Sequence, residues 1–434
     1  MEPQRVASLS YDVLILILDW LQDSYDSLVS CSLVNRTFRE ASAAYLYRRV
    51  TYSPAYSVVL DLKRRDDFLD GFFASARLPH NALQVRCLEV SGYLSTRPPP
   101  FNKFSDHLRS GLECWNNINS VILTPRRFHE DVFTKSLPLL STLSCLRHLT
   151  INASCTGEKQ VQHVVQLRDL ESLTIESPTR AVLQLLPDWL GELQSSLRTF
   201  RLTNGCGSVT PGVLRSFTPR LQCVTTFALG LSYSLTDTDV FEFLATLPCL
   251  RMLEYRYYMQ LRPYVAPPLR TLRHLTVRYW NVTTTRETNY LCTWVRRAIT
   301  NAPLEVLRLV CDNDVLGPAV SFGPLAEHLI YKHTERLRVL DMRDCFLGIE
   351  VLKELCRTCT NLEELSLSIS REALLDLPSF LGTLERMHTA TFHIRHCKGG
   401  VDVSQDFAEL LMTSARRLRR LTIDKRRFEV RLSR

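Results

Sequence analysis

Glycine is scarce in this chain, at 15 of 434 residues. None of the glycines falls into G-x-x-x-x-G-K-[ST], G-x-S-x-G or G-x-G-x-x-G. Phosphate-cradling loops and the strained nucleophile turn of hydrolases are therefore excluded. The apolar stretch from Val13 to Leu18 is ended at once by Asp19, far short of the roughly 20 residues that cross a bilayer. The opening residues lack a signal-peptide pattern, so a cytoplasmic or nuclear setting is expected. Fourteen cysteines follow no framework spacing and are expected to be reduced. In that setting the sequons at Asn35, Asn152 and Asn281 are chance matches.

Catalytic groupings are missing too. His129-Glu130 has no second histidine at zinc-protease spacing. Cys356-x-x-Cys359 is a lone pair, and His396-Cys397 sits a repeat later, so buried thiols are expected and no metal. No cofactor is implied, and the chain is not read as an enzyme.

Charge is unevenly placed. The net charge is +8, and residues Arg416 to Arg434 alone carry +7. The remainder is nearly neutral, which argues against a nucleic-acid-binding surface across the whole chain. Of the tail, Leu418, Leu421 and Ile423 read as a last strand whose arginines solvate an exposed end.

The first fifty residues read as three short helices. Ser10 can cap the first, with Asp12 near its positive end. Val13, Leu14, Ile17, Leu18 and Leu21 then fall at helical spacing, and Ile15 and Leu16 add apolar surface elsewhere. Asp26 or Ser27 is expected to cap a second helix through Leu28, Val29, Cys31, Leu33 and Val34. A third runs from Thr37 to Tyr47. Three such helices bury little and call for a partner.

These residues resemble an F-box of the fungal type. The opening element reads Leu9, Ser10, Asp12, Val13, Ile17 and Leu21, with serine where the family has proline. The middle element reads Leu33, Val34, Asn35, Arg36, Thr37 and Phe38, with asparagine in place of cysteine, and the closing element reads Ala43, Leu46, Tyr47 and Val50. The resemblance covers about 45 residues. It implies docking on the Skp-type adaptor of a cullin–RING ubiquitin ligase scaffold. Leu9, Ser10, Val13, Leu14, Ile17, Leu21, Val34 and Phe38 would share docking and internal packing.

From Thr51 to Ala82, Leu60, Leu62, Phe68, Leu69, Phe72 and Phe73 suggest a helical, packed junction. Pro98-Pro99-Pro100 marks a loop. It lies within the first repeat region, in which and beyond which a unit recurs: apolar, two free positions, apolar, one free position, apolar. It is clearest at Leu146-x-x-Leu149-x-Ile151 and Leu362-x-x-Leu365-x-Leu367. Thirteen central residues, Leu88, Val121, Leu149, Leu173, Phe200, Phe227, Leu253, Leu275, Leu307, Leu340, Leu365, Ala390 and Leu421, lie 22 to 33 residues apart. That is close to the period of leucine-rich repeats, in which each L-x-L is a short strand followed by a return segment. Helical returns are expected at Val240–Leu247, Leu325–His333, Val351–Cys359 and Phe407–Ala415. The fold expected is an α/β solenoid, a leucine-rich-repeat horseshoe, with a small N-terminal three-helix F-box-like module. The boundaries are 1–50 for the module, 51–82 for the junction and 83–434 for the repeats.

In such a stack the polar residues flanking the second inward position face one side. Arg256, Arg278, Arg308 and Arg343 come from four consecutive repeats, with Tyr257, Tyr258, Tyr279 and Trp280 beside them. Arginine and aromatic residues suit an interface hot spot, and guanidinium forks suit carboxylate or phosphate. Arg256, Tyr257, Arg278, Tyr279, Arg308 and Arg343 are therefore candidates for holding an acidic or phosphorylated client segment. Glu254 and Asp341 are expected to pair with some of the arginines. The function expected is substrate recognition for an SCF-type E3 ligase. The alternative is a leucine-rich-repeat scaffold or inhibitor unconnected to ubiquitin. No membrane or nucleic-acid partner is expected.

Overall fold

The computed structural model describes residues 9–57, 62–97, 103–258, 269–280, 282–313, 320–395 and 403–429. Leu60, Pro98, Pro99, Pro100, Asn281, His396 and Cys397 lie outside them. So do residues 430–434 of the basic tail. The chain divides into two compact units between Leu202 and Thr203.

The first unit opens with three helices whose starts are set by polar caps. The Ser10 hydroxyl accepts from the Val13 amide at 3.4 Å and begins α1 (Tyr11–Asp19). Helix α2 (Tyr25–Ser32) starts ahead of the expected Asp26 or Ser27. Ser24 occupies its cap position and bonds the Ser27 hydroxyl at 2.8 Å, leaving the backbone uncapped by a side chain. Asn35 accepts from the Phe38 amide at 3.0 Å and begins α3 (Arg36–Leu46). The asparagine that departs from the F-box pattern is thus a helix cap. The shared core is small: Leu14, Leu18, Leu28 and Ala41, ringed by Ile15, Leu21, Phe38, Tyr45 and Leu46. Tyr45 Oη donates to the Ile15 carbonyl at 3.0 Å and ties α3 to α1.

The rest of this unit is a parallel stack paired in chain order. Its strands are β1 (Arg49–Tyr52), β2 (Cys87–Val90), β3 (Ser120–Leu123), β4 (His148–Ile151) and β5 (Ser172–Glu176). Strand β1, with Val50 and Tyr52 inward, is not among the thirteen expected centres, because Val50 is assigned to the closing element of the F-box pattern. The stack thus begins before the segment read as a junction. That segment contains α4 (Leu62–Arg77), which buries Leu69 and Phe73 completely. Phe73 stacks on Trp115 with ring centres 6.0 Å apart, and Trp115 Nε1 donates to the Ala76 carbonyl at 3.0 Å. Helix α4 is therefore part of the core.

Strand β6 (Thr199–Gly205) crosses the division. The second unit continues with β7 (Thr226–Leu231), β8 (Met252–Arg256), β9 (His274–Tyr279), β10 (Val306–Cys311), β11 (Val339–Phe346), β12 (Glu364–Ser370), β13 (Thr389–Arg395) and β14 (Arg420–Ile423). These strands are parallel to their neighbours and follow chain order. The last, β15 (Arg426–Glu429), turns back antiparallel to β14. Asp424 takes a positive φ of 53° in that turn, and its carboxylate accepts from the Ile394 amide at 2.8 Å. The exposed, charged β15 covers the outer edge of β14, so that edge is not left open for pairing.

All thirteen expected strand centres fall inside β2 to β14. Their side chains are nearly fully buried and meet across registers such as Leu149↔Leu173 and Leu307↔Leu340. The fold is an α/β solenoid of the leucine-rich-repeat class. The four expected return helices occur as Asp237–Ala245, Gly323–Lys332, Ile349–Thr358 and Gln405–Ser414. Each starts two or three residues early, because polar or glycine positions before the first apolar residue already belong to the helix or its cap. Thr236, for instance, forms a capping box with Asp239. Cys356 and Cys359 are fully buried, and burial pushes the Cys359 thiol up to about 11. Among the described residues no helix is long and apolar enough to cross a membrane.

Two histidines give the second unit a pH dependence. His328 and His333 lie with ring centres 5.7 Å apart, and neither Nε2 has a hydrogen-bond partner. Burial first lowers both rings from 6.5 to about 4, helped at His328 by Arg296 and Lys332 and at His333 by His328 and Lys332. The unfolded chain takes up these protons on passing down through 6.5, while the folded chain resists until about 4. Stability is therefore full above about pH 7 and falls as pH drops from 6.5 towards 4. Thermal melts across this range are expected to show a smaller loss for His333→Leu than for wild type; identical losses would rule out the pair as a source.

Candidate functional site

Helix α1 carries two apolar stripes. Leu14 and Leu18, one turn apart, face the core and are 1% and 0% exposed. Val13, Leu16, Ile17 and Trp20 follow the i, i+3, i+4, i+7 spacing of a second helix face. They are 42%, 67%, 43% and 91% exposed. Leu9, Tyr11, Tyr25, Leu33 and Val34 are exposed as well. Among the described residues, nine of the nineteen exposed large apolar side chains thus fall within residues 9–34, a density that marks an interaction surface on a small module.

The residues singled out by the F-box resemblance separate into two roles. Leu9, Val13, Ile17 and Val34 are exposed and available to a partner. Leu14 is buried, Leu21 and Phe38 pack on the core, and Ser10 caps α1. Leu14, Leu21 and Phe38 serve internal packing. Leu16, expected as added apolar surface, joins the exposed stripe, as does Trp20, which was not expected there. Their spacing from Val13 was the available signal.

In the second unit the arginines do not form one row. Arg256 and Arg278 are direct partners in the β8–β9 register. Arg308 stands in the row of Thr276 and Asp341 instead, two residues back along the strand. Arg343 lies where the β11–β12 register shifts between Met342 and Phe346, and its guanidinium folds back on Asp341 at 2.8 Å. Asp312, a residue sequence reasoning missed, is only 10% exposed at its side chain and holds two arginines. Arg278 Nη2 donates to Asp312 Oδ1 at 2.6 Å. Arg256 Nη2 stands 3.1 Å from Asp312 Oδ2, an ion pair without an aligned hydrogen bond. Glu254 adds a longer contact to Arg278 at 3.8 Å. Among the described residues Arg308 makes no ion pair.

Tyr257 and Tyr279 are misplaced in the sequence reading. They are 5% and 2% exposed. Tyr257 packs on Trp294 at 5.9 Å, and the Tyr279 hydroxyl lies 3.4 Å from Cys345 Sγ. Strand alternation sends Arg256 and Arg278 outward, so it must send Tyr257 and Tyr279 inward. Burial pushes both phenols well above their ordinary range. The exposed aromatics are Tyr258 and Trp280, and Arg256 sits over the Trp280 ring at 5.8 Å. Geometrically, the patch is a self-neutralised acid–arginine network edged by aromatic rings.

No protein-family model and no curated protein matches the chain. Several solved structures are similar. An internalin (inlF) of Listeria monocytogenes aligns with 13% identity and a TM-score of 0.34, over 84% of this chain and 94% of that one. The structure of the Toll–Spatzle complex from Drosophila aligns with 14% identity and a TM-score of 0.37, over 79% of this chain and 47% of that one. The Rad7–Elc1 complex of yeast aligns with 10% identity and a TM-score of 0.38, over 96% and 93%. At this distance the likenesses carry no functional meaning.

The network predicts unequal roles for its acids. Asp312→Ala strands two guanidiniums around a largely buried position and is expected to cost about 1–3 kcal/mol. Asp341→Ala loosens only the half-exposed Arg343 and is expected to cost about 0.5 kcal/mol or less. Denaturant titration of both variants measures this; equal losses would mean that Asp312 is not the hub.

Proposed function

We propose that this chain is the substrate-recognition adaptor of an SCF-type cullin–RING E3 ubiquitin ligase. The N-terminal module is F-box-like and docks on a Skp-type adaptor, and the leucine-rich repeats bind the client protein. The chain contributes proximity and performs no bond chemistry itself.

The observation that carries this reading is the outer stripe of α1. A helix whose inner stripe already fills its own small core has no structural need of Val13, Leu16, Ile17 and Trp20 on the opposite face. Exposed apolar side chains at helical spacing are what a groove on a partner receives. The order of residues around them matches the F-box pattern through all three helices. The repeats in turn supply polar, outward-facing strand positions suited to holding a client.

Binding to a purified Skp-type adaptor tests the reading. Wild type is expected to bind, and Ile17→Asp is expected to bind at least about 30-fold more weakly, since removing a central anchor costs about 2 kcal/mol or more. Trp20→Ala is expected to weaken binding in the same direction. Both positions are solvent-exposed, so helix content by circular dichroism should stay at the wild-type level. Absence of wild-type binding would discard the ligase reading in favour of a scaffold without a link to ubiquitin.

A further inference from the structure

A row of charges runs along the strand-start edge of the second unit. Backbone amides of Val306, Val339, Glu364, Thr389 and Arg420 donate to the carbonyls of Arg273, Glu305, Arg338, Glu363 and His388. The residues just before successive strands are thereby brought side by side. Through the first four their signs alternate. Arg273 pairs with Glu305 at 2.9 Å, and Arg338 grips Glu363 with both Nε and Nη2 at 2.9 and 3.0 Å.

After Glu363 this row has no further acid. Beyond it, Arg386, Arg416, Arg417, Arg419 and Arg420 line a concavity of about 1750 Å³. All five are exposed, and none has an ion pair among the described residues. Two glutamates, Glu363 and Glu385, also line it, but Arg338 already holds Glu363 from outside. The excess of positive charge is therefore real at close range, where the paired arginines of the Asp312 network are spent.

Size and lining narrow the occupant. Small-molecule pockets span roughly 300–1,000 Å³, so this space fits an extended segment better than a single ion or metabolite. His388 supplies the one ring in its lining among the described residues, with no Phe, Tyr or Trp beside it, so it offers little platform on which successive unpaired bases could stack. Five guanidinium forks spread along its wall match a run of carboxylates. We propose that this concavity holds an acidic, Asp/Glu-rich peptide segment of a partner protein. The proposal deepens the ligase reading and rests on it for one point only, that the partner is a client for ubiquitin transfer. It also moves the client contact from the strand ends around Arg278 to the strand starts around Arg417.

The test uses the full chain and a fluorescent oligoglutamate peptide, with an oligoglutamine peptide and an oligothymidylate of equal length beside it. Anisotropy is read at about 0.15 M salt, where distant surface charges are screened. Oligoglutamate is expected to bind, and oligoglutamine at least about tenfold more weakly. Arg417→Glu combined with Arg420→Glu is expected to weaken oligoglutamate binding at least about tenfold, while Arg343→Glu changes it less than about twofold. The substituted side chains are exposed, and an unchanged melting temperature confirms that the fold is kept. Equal binding of the two peptides, tighter binding of the oligothymidylate, or indifference to the double substitution would each overturn the proposal. Skp-type adaptor binding by the same protein separates the two readings. Adaptor binding without peptide binding sinks the acidic-peptide site alone. Peptide binding without adaptor binding leaves the site standing and removes ubiquitin from its purpose.

Discussion

Every part of this molecule depends on one repeated contact, a short parallel strand bonded to the strand of the next repeat with an apolar side chain buried behind each pairing. Leu149 lies against Leu173, Leu275 against Leu307, and Leu340 against Leu365. Each such side chain contributes about 1.5–3 kcal/mol when fully removed from water. A single repeat buries too few of them to offset the entropy of its own ordering, so stability accrues only as neighbours stack. The stack also fixes what can act. Inward positions are occupied by packing, and chemistry is left to outward strand positions, to the two edges of each strand and to the terminal elements.

Those remaining positions mostly obey a second rule, that charge meets opposite charge; Arg308, in register with Asp341 but without an ion pair among the described residues, departs from it. Arg273 meets Glu305, Arg338 meets Glu363, and Asp312 meets Arg256 and Arg278. Arg273–Glu305, Arg338–Glu363 and Arg278–Asp312 bridge adjacent repeats, and Arg256–Asp312 reaches across two. The informative places are where the rule lapses. Along the strand starts it lapses beyond Glu363, where five arginines have no ion pair among the described residues. On α1 the corresponding lapse is apolar, since a second hydrophobic stripe has nothing to cover it within the described residues.

How much of this was legible follows from the same physics. The strands β2 to β14 could be read because an inward apolar residue, most often leucine, recurs with a fixed local spacing. Strand β1 was not read as one of them, because Val50 also fits the closing element of the F-box pattern. Helix starts were read late because a cap is polar, whereas the eye follows the apolar residues. Tyr257 and Tyr279 were placed outside by adjacency to arginines, although strict alternation already assigned them to the core. Arg343 went astray for a different reason: the register shift in β11 leaves no mark in the repeat spacing. Asp312 was hidden because its pairing reaches back 34 residues to Arg278, a separation at which local pattern says nothing. In the module, Trp20 was missed and Leu16, read as added apolar surface, was not assigned to docking, because the family pattern marks other positions than helix geometry does.

The two surfaces where partners are proposed differ in the force each would use. Covering Val13, Leu16, Ile17 and Trp20 would release about 6–12 kcal/mol by the usual value for apolar side chains. Association itself costs about 4–15 kcal/mol, so this stripe alone supports only weak docking. A stable complex would therefore have to cover Leu9, Tyr11, Leu33 or Val34 as well, which are exposed in the same module. That attraction is non-directional and insensitive to salt. The arginine concavity is the opposite case, strong at low ionic strength and weakened by screening over about 8–10 Å. A chain carrying both can hold one partner permanently by burial and exchange another by charge. That division is what a recognition subunit requires, because its scaffold must stay while its clients turn over.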